Sequence, residues 1–274
     1  MQAELEAPGR PAAPPLRAVA PLWAVLGTLG ALAWVATVDQ ARTTGVGPGT
    51  MGMPFPAFEW MWVAMMAAMM LPAIGLVAAG ETLGAAGTRD AGRFPGVVAF
   101  GAGFLAPWAA YGALAFVPLV ATGRIATAAP EAGKWIGVAV FAVAGAYQFS
   151  PWKRCALEHC RTPMHGVRGS GVRGDLAAGV RDGALCVGCC WAMMTILLAV
   201  GLMNLWAMAG LAAVVFGEKV LPRPRLVSAI AGVAFLGLAV AAAVHPSLLS
   251  GLVAPHVDAG MGMGMGMGMS AGGM

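Results

Sequence analysis

The stretch "ALCVGCCWAMMTILLAVGLMNLWAMAGLAAVVF", residues 184–216, is apolar for 33 residues and decides the class of fold. As one helix it would be about 50 Å long, well beyond the roughly 30 Å hydrocarbon core of a bilayer. As two helices it needs a turn near "GLMN", residues 201–204. In both cases the stretch is too apolar for the surface of a soluble domain, so it predicts helices that cross a membrane.

The composition of the whole chain agrees with this prediction. Of 274 residues, 59% are hydrophobic and 10% are charged, whereas soluble domains carry about a quarter charged residues. We therefore predict an all-α, polytopic bundle of transmembrane helices in contact with the lipid bilayer. The net charge of +4 is spread over the polar segments without interleaved aromatic residues, which gives no support for nucleic-acid binding. No phosphate-binding loop, nucleophile motif or paired carboxylates indicate an enzyme, although the question stays open.

The number of spans follows from hydropathy and charge. Apolar runs predict spans at about 21–38, 57–79, 95–120 and 134–150, one or two spans in 184–216, and a last span at 226–244. With seven spans, thirteen Lys and Arg residues face the cytoplasm and three face outward, whereas six spans give ten and six. The positive-inside rule favours seven spans, with a cytoplasmic N-terminus and an extracytoplasmic C-terminus in a bacterial inner membrane. Six spans remain the alternative.

Three regions follow from this topology. Residues 1–20 are proline-rich and predict a disordered cytoplasmic extension. Residues 21–244 form the transmembrane domain, with a cytoplasmic loop at 151–183. Residues 245–274 form a flexible tail that ends in "MGMGMGMGMSAGGM". The alternating glycines resist packing, so the tail is either a flexible thioether tether that captures a soft metal or a neutral repeat expansion.

The five cysteines lie in two short stretches. "CVGCCW" at 186–191 holds three of them, and "KRCALEHCRTPMH" at 153–165 holds Cys155 and Cys160. The predicted topology places all five at the cytoplasmic face, where structural disulfides are rare. Metal binding or thiol chemistry is therefore favoured, while simple packing of a small apolar residue is the alternative.

Helical spacing groups these thiols with methionines. Cys186, Cys190 and Met194 are spaced i, i+4, i+8 and form one stripe. In the second span Met61, Met65 and Met69 form another stripe, beside Met66 and Met70. Thiolates and thioethers suit Cu(I), or Zn(II) near the thiolate end, although methionine also fills gaps between helices. The predicted metal ligands are Cys155, Cys160, Cys186, Cys189, Cys190, Met65, Met66, Met69, Met70, Met194 and His159.

Three blocks of sequence resemble a known family. "WMWVAMMAAMMLPA" (60–73), "YQFSPWKRCALEHCRTP" (147–163) and "GALCVGCCWAMMTILLAVGLMNLWAMAGLAAVVFGEKVLPR" (183–223) resemble a bacterial family of predicted metal-binding integral membrane proteins, a domain of unknown function. The resemblance covers about residues 57–225. It implies a polytopic inner-membrane protein with a metal site, and it maps onto the five cysteines and onto Met65, Met66, Met69 and Met70.

These observations predict a membrane protein that binds Cu(I) as a chelator, chaperone or transporter, together with a copper-dependent membrane or periplasmic partner. Zn(II), or no metal, is the alternative for the cofactor. One alternative function is a membrane thiol oxidoreductase in which Cys186/Cys189 and Cys155/Cys160 exchange disulfides. Another is an assembly factor with a structural metal site.

Overall fold

The computed structural model describes residues 20–44, 49–50, 52–82, 94–161, 171–249 and 252. Within these residues the regular structure is entirely helical, which confirms the all-α prediction. The eight α-helices are α1 (Ala20–Thr44), α2 (Phe55–Thr82), α3 (Phe94–Ala128), α4 (Pro130–Gln148), α5 (Pro151–Arg161), α6 (Val172–Val200), α7 (Leu205–Val220) and α8 (Pro224–Val244), and a short 3₁₀ turn follows at Pro246–Leu248. The predicted N-terminal extension and the Met/Gly-rich repeat lie outside the described residues.

Five helices are long and apolar enough to cross a membrane. They contain the segments Ala24–Thr43, Phe55–Ile74, Pro95–Ala128, Val172–Leu197 and Pro224–Val244. Helices α4 and α7 are shorter, with 19 and 16 residues, and both carry charged side chains. The helices are thus compatible with a membrane protein, and the count of seven spans stays a prediction that depends on α4 and α7.

The long apolar stretch divides into two helices at the predicted turn. Gly201 has a φ of 103° and ends α6, a conformation that favours glycine. Asn204 caps α7, because its side-chain oxygen accepts a hydrogen bond of 3.1 Å from the backbone N–H of Ala207. The glycine and the asparagine therefore set the break between α6 and α7.

The polar segment 151–183 contains more structure than a loop. It holds the 11-residue helix α5 and the first three turns of α6, while residues 162–170 lie outside the described part. Helix α5 is amphipathic, and its buried residues Lys153, Leu157 and Cys160 lie on one face at i, i+4 and i+7. This short helix therefore places Cys160 against the rest of the bundle.

Helix α6 lies unusually close to α3. A Cβ atom at Gly179 would collide with the carbonyl oxygen of Phe100, and one at Gly183 would collide with that of Phe104. Small residues let the backbones of membrane helices approach in this way. Because Gly183 is one turn before the first cysteine of α6, this contact fixes where the thiols lie.

Helix α2 runs through the core of the bundle. Its methionines Met61, Met65, Met66, Met69 and Met70 are all at most 3% exposed. Pro72 lies inside this helix, which continues to Thr82. The methionine stripes of α2 are therefore buried among protein side chains.

Candidate metal centre

Four of the five cysteines meet in one buried cluster. The Sγ atoms of Cys160, Cys186 and Cys189 all lie within 4.8 Å of one another. The Sγ atom of Cys190 is 3.2 Å from that of Cys189. We call these four residues the thiol cluster. Each of them is at most 4% exposed, so the cluster is closed to solvent.

Two helices supply the cluster. Cys186, Cys189 and Cys190 are spaced i, i+3, i+4 on α6, so they share one face of that helix. Cys160 comes from the last turn of α5, 26 positions earlier in the chain. The Tyr147 hydroxyl donates a 2.5 Å hydrogen bond to the carbonyl oxygen of Gly188, which anchors the backbone between the cysteines of α6.

One methionine of α2 reaches the thiols. The Sγ atom of Cys186 is 3.8 Å from the Sδ atom of Met70. Of the other predicted ligands, Met65, Met66 and Met69 are buried further along α2, and Met194 is buried one turn beyond Cys190 on α6. Met70 therefore adds a thioether beside the thiol cluster, while the remaining methionines extend the sulfur-rich core away from it.

A buried lysine faces the thiols. The Nζ atom of Lys219 donates to the Sγ atom of Cys186 at 3.0 Å and lies 5.9 Å from the centre of the Phe104 ring. Lys219 is only 3% exposed. A buried ammonium needs a compensating anion, so this contact stabilises the thiolate form of Cys186.

Cys160 behaves differently from Cys186. Its hydrogen bond with Cys186 and its burial raise the pKa of Cys160 to about 11, although its contact with Cys189 and the charge of Lys219 act in the opposite direction. Cys160 therefore keeps its proton at neutral pH in the metal-free protein, and binding a metal there would release that proton.

A second polar network holds α5 in place. The Nζ atom of Lys153 lies 2.8 and 2.9 Å from the two carboxylate oxygens of Glu218, and both side chains are 1% exposed. The Ser228 hydroxyl donates to the same carboxylate at 2.8 Å. Arg161 donates to the backbone oxygen of Glu218 at 2.6 Å. These bonds tie α5 to α7 and α8 and keep Cys160 against α6.

Two predicted ligands lie apart from the thiol cluster. Cys155 and His159 are both exposed on the outer face of α5. The Sγ atom of Cys155 is 3.7 Å from the Nδ1 atom of His159. The cysteines of α5 are five residues apart, so they point to different sides of the helix.

Two buried charged residues near the thiols were not among the predicted ligands. Glu218 is fully buried, and Lys219 contacts a thiol. Their sequence signal is the cost of placing charged residues next to an apolar segment, which makes both of them functional candidates. Lys153 lies two positions before Cys155 but pairs with Glu218 and reaches Met193 at 3.9 Å.

The geometry of the thiol cluster fits a soft metal ion. An ion about 2.3 Å from each of three sulfur atoms in a plane holds those atoms about 4 Å apart. The sulfur atoms of Cys160, Cys186 and Cys189 need only small movements to reach such separations. Thiolates with a nearby thioether are ligands that Cu(I) prefers.

The chain matches the model of a known protein family. Residues 59–242 match the model of the family PpoB2, which is described as copper chaperone. The matched region includes all five cysteines and the methionines of α2. No curated protein and no solved structure matches the chain significantly.

Proposed function

This chain belongs to the copper chaperone family, and we propose that it is a membrane protein that binds Cu(I) at the thiol cluster and passes it to a copper-dependent membrane or periplasmic protein. The observation that carries the proposal is the meeting of Cys160 with Cys186 and Cys189 in a site that excludes water. Met70 and Lys219 complete its surroundings.

The donor set favours a soft monovalent ion. Three thiols and an adjacent thioether give Cu(I) the two or three sulfur ligands that it needs. Zn(II) takes four ligands, usually as a closed tetrahedron of thiolates and imidazoles. In this site Cys190 is the remaining thiol, so Zn(II) is the competing ion that a direct measurement has to separate from Cu(I).

Charge and protons balance without a change in oxidation state. Cys186 enters as a thiolate paired with Lys219. Cys160 releases its proton to solvent when the ion binds, and Cys189 does the same where it becomes the third ligand. Copper remains Cu(I) throughout. The positive charge of Lys219 offsets the excess negative charge that two or three thiolates leave around one monovalent ion. The lysine therefore stabilises the loaded site as well as the empty one.

Burial argues against disulfide exchange with a partner. A thiol oxidoreductase needs an attacking sulfur that a second protein can reach. The four thiols of the cluster are at most 4% exposed, so a partner disulfide cannot approach them. A buried cluster of this kind suits metal retention better than redox exchange.

The membrane location is part of the same proposal. The five apolar helices support insertion into a bacterial inner membrane. The basic residues favour a cytoplasmic N-terminus and a thiol cluster near the cytoplasmic face. The Met/Gly-rich tail then acts as an extracytoplasmic tether that captures copper before transfer.

Metal content tests the proposal directly. The full-length protein is purified in detergent under anaerobic, reducing conditions, loaded with Cu(I), and analysed by mass spectrometry of bound metals. We expect the double variant C186S/C189S to lose the copper of the thiol cluster, whereas C155S, which lies outside the cluster, keeps copper there. Equal copper in the wild type and in C186S/C189S would refute the proposal. Bound zinc that copper does not displace would refute the choice of metal.

A further inference from the structure

The thiol cluster lacks a sulfur atom that a copper carrier can touch. Copper passes between proteins by ligand exchange, during which donor and acceptor atoms hold the ion together. All four thiols of the cluster and Met70 are at most 4% exposed. A protein that loads this site therefore needs an accessible ligand at its surface.

The outer face of α5 offers such a ligand pair. Cys155 and His159 are spaced i, i+4, the spacing that lets two side chains on one helix bind the same metal ion. Their Sγ and Nδ1 atoms are 3.7 Å apart, and both residues are exposed. An ion bound at about 2.3 Å from sulfur and about 2.0 Å from nitrogen separates these atoms by about 4.3 Å when the three atoms are in line and by about 3.7 Å when the angle at the ion is about 120°. The observed separation therefore fits a trigonal site with a third ligand from the carrier.

The histidine is already oriented toward this position. Its Nδ1 atom lies 2.8 Å from the backbone oxygen of Cys155, which holds the ring against the first turns of the helix. A small rotation of the ring, with transfer of the ring proton from Nδ1 to Nε2, exchanges that oxygen for a metal ion bound to Cys155. Because both residues are exposed on adjacent turns of α5, the pair is open to a carrier from the surface.

We propose that Cys155 and His159 form a second, surface Cu(I) site through which a cysteine-bearing copper carrier exchanges the ion with the thiol cluster. The inference rests on the proposed function, because a surface site is needed only if the buried thiol cluster binds copper. In the exchange the Cys155 thiol loses its proton to solvent and binds Cu(I) as the carrier's thiolate leaves. The oxidation state of copper does not change. Both ligands share helix α5 with Cys160, so a rolling movement of this helix passes the ion inward.

Two measurements on the full-length protein in detergent test the surface site. The first is alkylation of Cys155 by N-ethylmaleimide, followed by mass spectrometry with and without Cu(I) buffered by bicinchoninic acid. We expect Cu(I) to protect Cys155 from alkylation in the wild type. In H159A we expect much less protection, so that Cys155 is alkylated even when Cu(I) is present. The second is the rate at which the thiol cluster takes Cu(I) from its glutathione complex. We expect C155S to slow loading several-fold and to reach the same final copper content in the cluster.

The controls separate this inference from the proposed function. E158Q changes a neighbouring exposed side chain whose ion pair with Arg225 lies at the surface. Because such a pair contributes little, the variant should load at the wild-type rate. C160S should lower the copper held by the cluster while Cys155 remains protected. Wild-type loading by C155S, or a Cys155 that Cu(I) does not protect, would overturn the surface site and leave the buried site standing. If both C160S and C186S/C189S keep the wild-type amount of copper, the buried site is refuted instead.

Discussion

Lys219 is the residue on which the charge of the thiol cluster depends. Its ammonium contacts the Sγ atom of Cys186 at 3.0 Å and lies 5.9 Å from the centre of the Phe104 ring. In a low-dielectric site such a contact is much stronger than on a surface. The thiolate and the lysine therefore depend on each other, and a change in either one should appear in metal affinity.

We expect K219L to weaken Cu(I) binding about 10- to 100-fold, the usual effect of losing a partner that supports a metal ligand. Leucine removes the charge and adds no sulfur ligand, so the Cys186 thiolate loses its counter-ion. Competition with bicinchoninic acid measures the affinity. The control is K134L, which removes a lysine that pairs with Glu131 on α4. An unchanged affinity in K219L would mean that the lysine has only a structural role.

Met70 is the described methionine whose sulfur contacts a thiol of the cluster. We expect M70L to lower the affinity for Cu(I), because leucine fills a similar volume without a sulfur ligand. M65L is the matched control, since Met65 is equally buried on the same helix. The measurement is again competition for Cu(I), with thermal unfolding to confirm that both variants fold. Equal affinities in M70L and M65L would exclude Met70 as a ligand.

Individual residues also show what the sequence could and could not predict. The spacing of Cys186, Cys190 and Met194 placed them in one stripe, because the helical period is a local property. The contact with Lys219 could not be predicted, because it joins residues 33 positions apart on two helices. Cys155 and Cys160 were predicted as ligands together because they are close in the sequence. They lie on different faces of α5, and only the packing of this helix against the bundle decides which face is buried.

At the scale of elements, α5 is held to the bundle by polar contacts as much as by apolar ones. Its inner face carries Lys153, whose ammonium pairs with Glu218 of α7 inside the protein. A buried pair of this kind contributes little net stability, but removing one partner leaves an uncompensated charge. The position of Cys160 therefore depends on Glu218, which does not itself touch the thiols in the described contacts.

We expect E218Q to destabilise the protein by about 3–5 kcal/mol, because it leaves the charge of Lys153 buried and unpaired. The docking of α5 should loosen, and Cys160 should become reactive toward N-ethylmaleimide. Alkylation rates and thermal unfolding in detergent measure the two effects. The double variant K153M/E218L should recover much of the stability, because both charges are removed together. A protected Cys160 in E218Q would show that apolar packing alone holds the helix.

The contact between α3 and α6 gives a second test at this scale. We expect G183A to destabilise the protein by about 1–3 kcal/mol, because the added Cβ collides with the carbonyl oxygen of Phe104 and forces the helices apart. G210A on α7 is the control, since nothing lies within 4 Å of its added Cβ and alanine favours the helix. Thermal unfolding in detergent compares the two. Equal stabilities would contradict the close approach of α3 and α6.

The elements themselves were partly predictable from local signals. The turn at 201–204 was placed correctly because Gly201 and Asn204 mark it in the sequence. Helix α5 was missed because its mean composition is polar and a short amphipathic helix has no long apolar run. Its helical character depends on burial of Leu157 and Cys160 against the bundle, which hydropathy averages do not detect.

For the whole molecule, the remaining question of organisation is how many helices cross the membrane. Helix α7 has 16 residues, which gives about 24 Å at 1.5 Å per residue, less than the roughly 30 Å of hydrocarbon. Its last turns carry Glu218 and Lys219, both buried within the protein. A short helix of this kind can cross the bilayer where neighbouring helices cover its charged end. The charge distribution then favours seven spans over six.

Topology reporters test this count. A periplasmic phosphatase fused after Met274 should be active and a fluorescent protein fused there should be dark, because seven spans place the C-terminus outside. The same two reporters fused after Ser150 control for insertion. Six and seven spans both place Ser150 in the cytoplasm, so there the phosphatase should be inactive and the fluorescent protein bright. Fluorescence at Met274 would establish six spans and would place the Met/Gly-rich tail on the same side as the thiol cluster. In that case the tail would bind copper on the cytoplasmic side, next to the thiol cluster, and could not capture it outside the cell membrane.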